Sequence, residues 1–341
     1  MGGDHGPSTV VPGVARACTL LSHRNVRFLL HGDETKINAE LARKPKLAPF
    51  VEVRHAATVI AMDEKPATAM RRGKGSSMWN AVESIKAGEA SACVSAGNTG
   101  ALMAVSRLIL RMVGGMDRPA IVASWPGLKG ATTVLDVGAN IDCDAERLVD
   151  FAIMGEAFHR AVHDVAKPTI GLLNVGSEDM KGHQELRGAH KILREGGLDL
   201  DYRGFVEGDD LSKGVVDVVV TDGFTGNVAL KTAEGTAKFI ASEMRTAFTA
   251  SLGAKAGALI ASGALKHLKN RLDPNAVNGG PLLGLNGVVV KSHGGANDKG
   301  IANAIIVAVD LAQSRFADEI RVNMDQLTSV LAHVAPEGAS T

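Results

Sequence analysis

The amino-acid sequence predicts an α/β protein with a mostly parallel sheet. Apolar, β-branched runs alternate along the chain with helical patterns, and short turns of Gly, Asn, Asp or Ser separate them. This alternation is typical of a parallel sheet with helices on both faces. The runs are largely apolar at consecutive positions, as in Val215–Val220, which indicates strands buried on both faces. Aromatic residues make up only 4% of the chain, so the core must be built from Ala, Val, Leu and Ile.

Each predicted strand leads into a glycine-containing turn and then a helix. The predicted strands are Val26–His31, Ala92–Ala96, Thr132–Val137, Thr169–Val175, Val215–Thr221 and Gly287–Ser292. Residues Thr246–Pro281 interrupt this rhythm and predict a helical excursion. We expect residues 1–335 to form a single α/β unit, of one or two lobes, and residues 336–341 to be a flexible tail. The string Met1–Asp4 is typical of a turn after a strand, and we expect that first strand to be missing from the numbered chain.

The composition excludes several classes of protein. Lys plus Arg and Asp plus Glu number 37 each, so the neutral chain has no general attraction to nucleic acid. The three cysteines show neither metal-type nor disulfide-type spacing, which fits a reduced, cytoplasmic compartment. No apolar run reaches the ~20 residues that span a bilayer, and we expect no signal peptide. We expect a cytoplasmic protein that does not bind nucleic acid.

The turns after the strands are candidate anion-binding elements. At least five of them combine Gly with Asn, Asp or His. Glycine lets a backbone approach a ligand closely, and the N–H groups at the start of the next helix are unpaired and face the positive end of its dipole. Any one of these turns could simply cap its helix. If all of them lie at one edge of the sheet, the set predicts a phosphate-type site.

Two of these turns carry the strongest candidates. Asp222 ends a predicted buried strand, where a carboxylate must be hydrogen-bonded or functional. Asn227, five residues later, could cap the helix or donate to an oxyanion. Lys181 lies in a glycine-flanked loop near a strand end, where it either meets phosphate or faces solvent. His293 opens another glycine turn after a strand.

The sequence also contains a basic, hydroxyl-rich stretch and lacks several common catalytic and ligand-binding motifs. Lys65, Arg71, Arg72 and Ser76 could hold a phosphate or face an acidic partner, or could form a solvated loop. The sequence lacks a Walker A string, a G-x-G-x-x-G fingerprint, a G-x-S-x-G elbow and paired zinc-ligand motifs. The acidic cluster around Asp144 is better explained as a helix start than as a metal site.

Strings spread over almost the whole chain resemble the bacterial phosphate acyltransferase family of phospholipid synthesis. The matching strings are Met1–Pro7, Lys65–Met78, Ser95–Ala101, Asp136–Asn140, Asn174–Gly182, Asp222–Asn227, Gly279–Gly284 and His293-Gly294. The resemblance implies a Rossmann-like, three-layer α/β/α fold related to isopropylmalate dehydrogenases and phosphotransacetylases. It also implies a homodimer without metal or organic cofactor, and transfer of a long-chain acyl group from acyl carrier protein to inorganic phosphate. The product would feed a membrane glycerol-3-phosphate acyltransferase.

The expected mechanism needs no protein nucleophile, because phosphate itself attacks the thioester. The enzyme must position phosphate and stabilise the tetrahedral oxyanion. We expect Lys181 and the N–H groups near Asn140 and Asn227 to hold phosphate or the oxyanion, with Asp222 orienting them. The residues expected to bind phosphate or substrate at the same rim are Gly3, Asp4, Asn98, Thr99, Gly138, Asn140, Asn174, Gly223, Gly226 and His293.

The sequence is compatible with several alternatives. The excursion Phe248–Leu272 carries apolar residues at near-helical spacing together with Lys255, Lys266, Lys269 and Arg271, and could contact an anionic membrane, an acidic carrier protein or a dimer partner. The nearest rival activity is a phosphotransacetylase-like reaction with acyl-CoA. A decarboxylating dehydrogenase would need a nicotinamide site and acidic metal ligands, and a non-catalytic scaffold would not need the glycine turns.

Overall fold

The computed structural model describes residues 2–113, 116–271, 273–314 and 320. The strands are β1 Phe28–Gly32, β2 Val51–His55, β3 Ala92–Ser95, β4 Ala120–Pro126, β5 Ala131–Leu135, β6 Thr169–Leu173, β7 Asp201–Val206, β8 Val218–Val220, β9 Gly280–Leu283 and β10 Val288–Lys291. The helices are α1 Pro7–Leu20, α2 Glu34–Leu41, α3 Pro66–Arg72, α4 Ser77–Lys86, α5 Thr99–Leu110, α6 Ala145–His163, α7 Gln184–Glu195, α8 Asp210–Lys213, α9 Gly223–Thr249, α10 Leu252–Ile260, α11 Ser262–Arg271 and α12 Asp298–Gln313. All six predicted strands form, as β1, β3, β5, β6, β8 and β10.

Eight strands form one sheet in the order β3-β10-β9-β4-β5-β8-β6-β7. The mostly parallel sheet that the sequence predicts is confirmed, since four of the seven strand pairs described within this sheet are parallel. The three antiparallel pairs all involve β4 or β9. Neither of these strands was predicted. The tight turn between β4 and β5, in which the Gly127 N–H donates to the Gly130 carbonyl at 2.7 Å, lets two neighbouring strands pair without a crossover helix.

The antiparallel pairs at the centre of the sheet reverse the strand direction. β3 and β10 run one way, whereas β5, β6 and β8 run the other way. Their carboxyl ends therefore point to opposite edges of the sheet. The expectation that all the glycine turns share one edge is wrong, because it assumed an uninterrupted parallel sheet. The turns divide into two groups, one after β5, β6 and β8 and one after β3 and β10.

β1 and β2 pair in parallel and form a separate two-stranded sheet. A cavity of about 600 Å³ lies between β1 and β3. Its walls include Leu30 of β1, Cys93 of β3, Val14 of α1 and Ile301 of α12. Helices α1 and α12 pack against each other beside this cavity and bury Val11, Ala17, Ile305 and neighbouring apolar residues.

Aliphatic residues make up most of the remaining core, as the low aromatic content predicts, although Phe151 and Phe158 are also buried there. α6 packs against β5, β6 and β8, and residues Leu148–His159 of this helix are all buried.

Polar side chains cap the helices that follow the strands. Asn98, Asp144 and Asn297 accept hydrogen bonds from backbone N–H groups in the first turns of α5, α6 and α12. The interpretation of Asp144 as a helix start is confirmed.

The predicted excursion forms as the outer part of α9 together with α10 and α11, although its last residues belong to strand β9. α9 is 27 residues long, and only Gly223 and Gly226 at its beginning are buried. The long helix therefore projects from the sheet. Leu272 and the tail 336–341 lie outside the described residues, as do the side chains of Lys269 and Arg271. No helix in the described ranges is long and apolar enough to cross a membrane.

Candidate functional site

The loop after β5 is built around the carboxylate of Asp136, which is fully buried. Asp136 accepts hydrogen bonds from the backbone N–H groups of Ile121 at 2.9 Å and Ala139 at 3.0 Å. It also accepts from the N–H of Asn140 at 2.6 Å and from the side-chain amide of Asn140 at 2.9 Å. Burial raises the pKa of Asp136, and these hydrogen bonds oppose the rise. The carboxylate fixes the shape of the whole loop.

The start of α9 packs directly on this loop. The Gly223 N–H donates to the Asn140 carbonyl at 2.6 Å. A Cβ atom at Gly226 would lie 2.0 Å from the Asp136 carbonyl oxygen, so only glycine fits there. Gly138 adopts φ +133°, and a Cβ atom there would lie 3.6 Å from the Asn227 side chain. The structure thus brings together Gly138, Asn140, Gly223, Gly226 and Asn227, as expected for one group.

Asp222 caps α9. Its carboxylate accepts hydrogen bonds from the Thr225 N–H and from the Thr225 hydroxyl, both at 2.8 Å. The alternative that Asn227 caps this helix is wrong, because Asn227 lies beyond the cap, inside the helix. Asp222 is half-buried and lines the cavity described below.

Three backbone N–H groups of this first group are already used inside the protein. The Asn140 N–H points at Asp136, the Gly223 N–H at Asn140, and the Thr225 N–H at Asp222. Of the N–H groups near Asn140 and Asn227 that were expected to hold phosphate or the oxyanion, these three are therefore not available, and a role for the others stays a prediction. The sequence showed that a turn was present, but it did not show that a buried carboxylate at position 136 would occupy the donors.

A cavity of about 760 Å³ opens between this group and the start of α7. It is lined by Ile141, Asp142, Cys143, Asp144, His183, Glu185, Asp222, Phe224 and Thr225. Four of these side chains are carboxylic acids, so the wall carries negative charge. Burial, with a smaller contribution from Asp136 and Asp222, raises the pKa of the Cys143 thiol to about 12. Cys143 is therefore a neutral thiol and a poor nucleophile.

The loop from Asn174 to His183 carries Lys181 and is held at several points. The Asn174 amide donates to the Lys181 carbonyl at 3.2 Å, and Arg187 donates to the Gly182 carbonyl at 2.6 Å. Lys181 is exposed and does not line the cavity, although His183, two residues later, does. The structure thus places Lys181 beside the first group of turns and leaves its role as a prediction.

The second group lies after β3 and β10. The Asp4 N–H donates to the Gly294 carbonyl at 3.0 Å, and Gly3, at φ +92°, would place a Cβ atom 2.9 Å from Ala96. His293 is exposed, and its Nδ1 accepts from the Gly295 N–H at 3.1 Å. These contacts bring Gly3, Asp4 and His293 together.

Asn98 and Thr99 belong to this second group through the start of α5. The Asn98 side-chain oxygen accepts from the Ala101 N–H at 3.0 Å. Its amide donates to the carbonyls of Met62 at 2.8 Å and Glu64 at 2.9 Å. The side chain of Asn98 thus caps α5 and fastens the loop before α3. A substrate contact through Asn98 or Thr99 stays a prediction.

Sequence reasoning missed Asp136 and Lys291. Each is a charged residue at the carboxyl end of a strand run, the same signal that identified Asp222. Lys291 ends β10 and precedes the His293 turn. Its side chain is half-buried, whereas most lysines in the described ranges are exposed.

Comparison with known proteins identifies the family. A family model described as "Fatty acid synthesis protein" matches residues 1–319. The chain is 65% identical to the phosphate acyltransferase of Caulobacter vibrioides over 334 residues, which are 98% of this chain and 92% of that protein. The chain belongs to the phosphate acyltransferase family. The phosphate acyltransferase of Phenylobacterium zucineum is 64% identical over 339 residues, 99% of this chain and 96% of that protein. Membership makes the protein an acyltransferase enzyme.

The fold of this chain is similar to that of solved phosphotransacetylase structures. A phosphotransacetylase from Streptococcus pyogenes superimposes with a TM-score of 0.60 at 18% identity, covering 88% of this chain and 91% of that one. This likeness concerns the fold alone, and it confirms the phosphotransacetylase-like α/β fold that the sequence resemblance implies.

Proposed function

We propose that the protein transfers a long-chain acyl group from acyl carrier protein to inorganic phosphate, giving acyl phosphate for phospholipid synthesis. A phosphate oxygen attacks the thioester carbonyl carbon, a tetrahedral oxyanion forms, and the C–S bond then breaks. The carrier thiolate leaves and takes a proton. The observation that carries the proposal is the 65% identity to a phosphate acyltransferase over almost the whole chain.

The state of the cysteines supports direct attack by phosphate. Burial raises the pKa of Cys93 and of Cys143 to about 12, and it also raises the pKa of Cys18. An acyl-enzyme route through cysteine needs a thiolate, which burial disfavours at all three positions. The sequence also lacks the G-x-S-x-G elbow of serine acyl enzymes. With phosphate as nucleophile, the protein has only to position the reactants and stabilise charge.

Within this proposal, Lys181, Asp222 and Asn227 act on the reacting groups near the first cavity. Asp222 is held by Thr225 at the cavity wall, and Lys181 lies on the adjoining loop. The ammonium group of Lys181 would offset the negative charge of the cavity wall when the anionic tetrahedral intermediate forms. Asn227 is exposed beside Gly138, where its amide can donate to the developing oxyanion.

The projecting arm, defined as residues 228–268 of α9, α10 and α11, is the proposed contact region for larger partners. Its side chains Phe239, Leu252, Leu259 and Ile260 are 65%, 85%, 76% and 88% exposed. We propose that a homodimer forms through α9 and that the α10 end lies on an anionic membrane, where the product would reach a glycerol-3-phosphate acyltransferase. Exposed apolar residues of this kind usually mark an interface. A Leu259→Ser, Ile260→Ser variant would separate the two contacts. Light scattering would show whether the variant still forms the homodimer. Flotation with vesicles containing phosphatidylglycerol would show whether it still binds the membrane.

The deciding experiment is an assay of thiol release from palmitoyl-acyl carrier protein with and without phosphate. We expect phosphate-dependent release and a matching amount of palmitoyl phosphate. Release without phosphate would show a thioesterase and contradict the proposal. A preference for palmitoyl-CoA over the carrier-bound substrate would favour the phosphotransacetylase-like alternative.

A further inference from the structure

Two large apolar side chains line the cavity at the first group of turns, although much of its wall is acidic. Ile141 and Phe224 are 65% and 62% exposed and both line this cavity. The other lining residues are polar or acidic, apart from the neutral thiol of Cys143. Neither Ile141 nor Phe224 belongs to the hydrophobic clusters of the described core. Their apolar surface is therefore available to a ligand in the cavity.

The backbone holds these two residues at one wall. The Gly223 N–H donates to the Asn140 carbonyl at 2.6 Å, and Phe224 and Ile141 are the residues that follow these two in the chain. A Cβ atom at Gly223 would lie 2.6 Å from the same carbonyl oxygen, so the two segments are in close contact. Asp222, which caps α9, also lines the cavity. The apolar pair and the candidate catalytic carboxylate thus belong to one fixed unit.

The charge of the wall decides which part of a substrate fits beside this pair. Four carboxylic acids line the cavity and repel phosphate or an acidic protein surface. A hydrocarbon chain is neutral, and its burial strengthens binding about fourfold for each methylene group. The cavity of about 760 Å³ is within the usual size range of small-molecule sites. It therefore favours a neutral ligand with an apolar part.

We infer that Phe224 and Ile141 bind the part of the acyl chain next to the thioester and thereby place the thioester carbonyl beside Asp222. This inference rests on the proposed function and deepens it, because it names residues that recognise the acyl group. An acetyl group has too little hydrocarbon to gain from the pair, whereas a longer acyl chain gains from both residues.

The position of the pair distinguishes it from the exposed apolar residues of the projecting arm. Phe239, Leu259 and Ile260 lie on the arm and do not line the cavity, whereas Phe224 lies in the first turn of α9 and does. We assign the arm residues to contacts with larger partners and the cavity pair to the acyl group. Phe239 is therefore a matched control, since it is a phenylalanine of similar exposure on the same helix.

The test compares Phe224→Ala with Phe239→Ala in the absence of phosphate, so that no turnover occurs. Isothermal titration measures the binding of two neutral thioesters, S-octanoyl-N-acetylcysteamine and S-acetyl-N-acetylcysteamine. We expect the parent protein to bind the octanoyl thioester at least tenfold more tightly than the acetyl thioester. Phe224→Ala should weaken octanoyl binding at least tenfold and acetyl binding less than twofold. Phe239→Ala should bind both thioesters within twofold of the parent.

Two further variants keep the test informative if Phe224→Ala does not fold. Ile141→Ser, in the loop before α6, should weaken octanoyl binding at least threefold, and Phe224→Leu should retain most of the parent affinity. Light scattering of each variant shows whether its oligomeric state is that of the parent. Loss of the parent oligomer together with octanoyl binding would assign the pair to a subunit contact and overturn the inference.

The remaining outcomes separate this inference from the proposed function. Equal affinity of the parent for the two thioesters, or parent-like octanoyl binding by folded Phe224→Ala, would overturn the inference even if acyl phosphate is formed. If the parent binds the octanoyl thioester through Phe224 but forms no acyl phosphate when phosphate is added, the acyl site is supported and the proposed function fails.

Discussion

The Oδ2 atom of Asp136 accepts two hydrogen bonds from the same residue, one from the Asn140 backbone N–H at 2.6 Å and one from the Asn140 side-chain amide at 2.9 Å. Asn140 is therefore held at both ends by one buried oxygen. Its amide also donates to the Pro119 carbonyl at 3.0 Å, and its own carbonyl receives the first N–H of α9. The strand, the loop and the long helix are coupled through this pair.

Replacing Asp136 with Asn should strongly destabilise the protein. The new amide would point a donor at N–H groups that now donate to the carboxylate, leaving buried donors unsatisfied. We expect a loss on the order of 3 kcal/mol in the free energy of unfolding. Urea denaturation would measure it. Asp142→Asn, in the same loop but exposed, is the control and should change stability by less than about 0.5 kcal/mol. Equal effects of the two changes would contradict this account.

Two glycines of α9 should respond in opposite ways to alanine. At Gly226 the added methyl would lie 2.0 Å from the Asp136 carbonyl oxygen, and backbone cannot move aside cheaply. We expect Gly226→Ala to lose about 3 kcal/mol or more. At Gly235 no atom lies within 4 Å of the added Cβ, so Gly235→Ala should gain up to about 1 kcal/mol from helix propensity. Thermal unfolding of both variants checks the contrast, which fails if Gly226→Ala is as stable as the parent.

Lys181 and Asp222 should both matter for turnover. We expect Lys181→Ala and Asp222→Ala each to lower kcat/KM for phosphate-dependent acyl transfer about 100-fold, through lost charge stabilisation and lost orientation. Lys191→Ala is the matched control, since Lys191 is an exposed lysine on α7 near the same loop. Near-normal turnover of the double variant would remove both residues from the mechanism.

Asp179 should act on activity through the position of the Lys181 loop. Its carboxylate lies 3.1 Å from Arg194 and 3.6 Å from His190, both on α7. Exposed pairs of this kind contribute less than about 1 kcal/mol to stability. We therefore expect Asp179→Ala to keep its melting temperature but to lose about threefold to tenfold in kcat. Asp199→Ala, which removes an exposed pair with Lys167, should lose neither. An unchanged kcat in Asp179→Ala would show that the contacts of Asp179 with Arg194 and His190 are not needed to position the Lys181 loop.

The sequence predicted the strands that carry the candidate residues, because each has a continuous apolar run before its glycine turn. It did not predict β4 and β9, whose pairing reverses the sheet. Strand direction depends on which strands become neighbours, and this is a tertiary property that no local pattern encodes. For the same reason the sequence pattern predicted that Asp222 and His293 lie at the same edge of the sheet. Asp136 belongs to one of the matching strings, but nothing local shows that five backbone and side-chain donor contacts would converge on it.

A histidine pair on α6 provides a test of stability against pH away from both groups of turns. His159 is buried, and its Nδ1 lies 2.9 Å from the Thr133 hydroxyl. Its ring centroid lies 4.4 Å from that of His163. Burial, together with the neighbouring His163, lowers the pKa of His159 to about 4 against the opposing effect of Asp217. Burial also lowers the pKa of His163.

A histidine whose pKa is lowered by folding stabilises the protein above its unfolded pKa, about 6.5, and this contribution is lost as the pH falls towards 4. We expect the free energy of unfolding to fall between pH 7 and pH 4.5 by an amount that includes on the order of 2 kcal/mol from His159. His159→Gln, which can still bond Thr133, should lose that part of the pH dependence, whereas His267→Gln, at an exposed position of α11, should retain it. Urea denaturation at the two pH values measures the difference. Identical pH dependence in the parent and His159→Gln would mean that protonation of His159 is not coupled to unfolding.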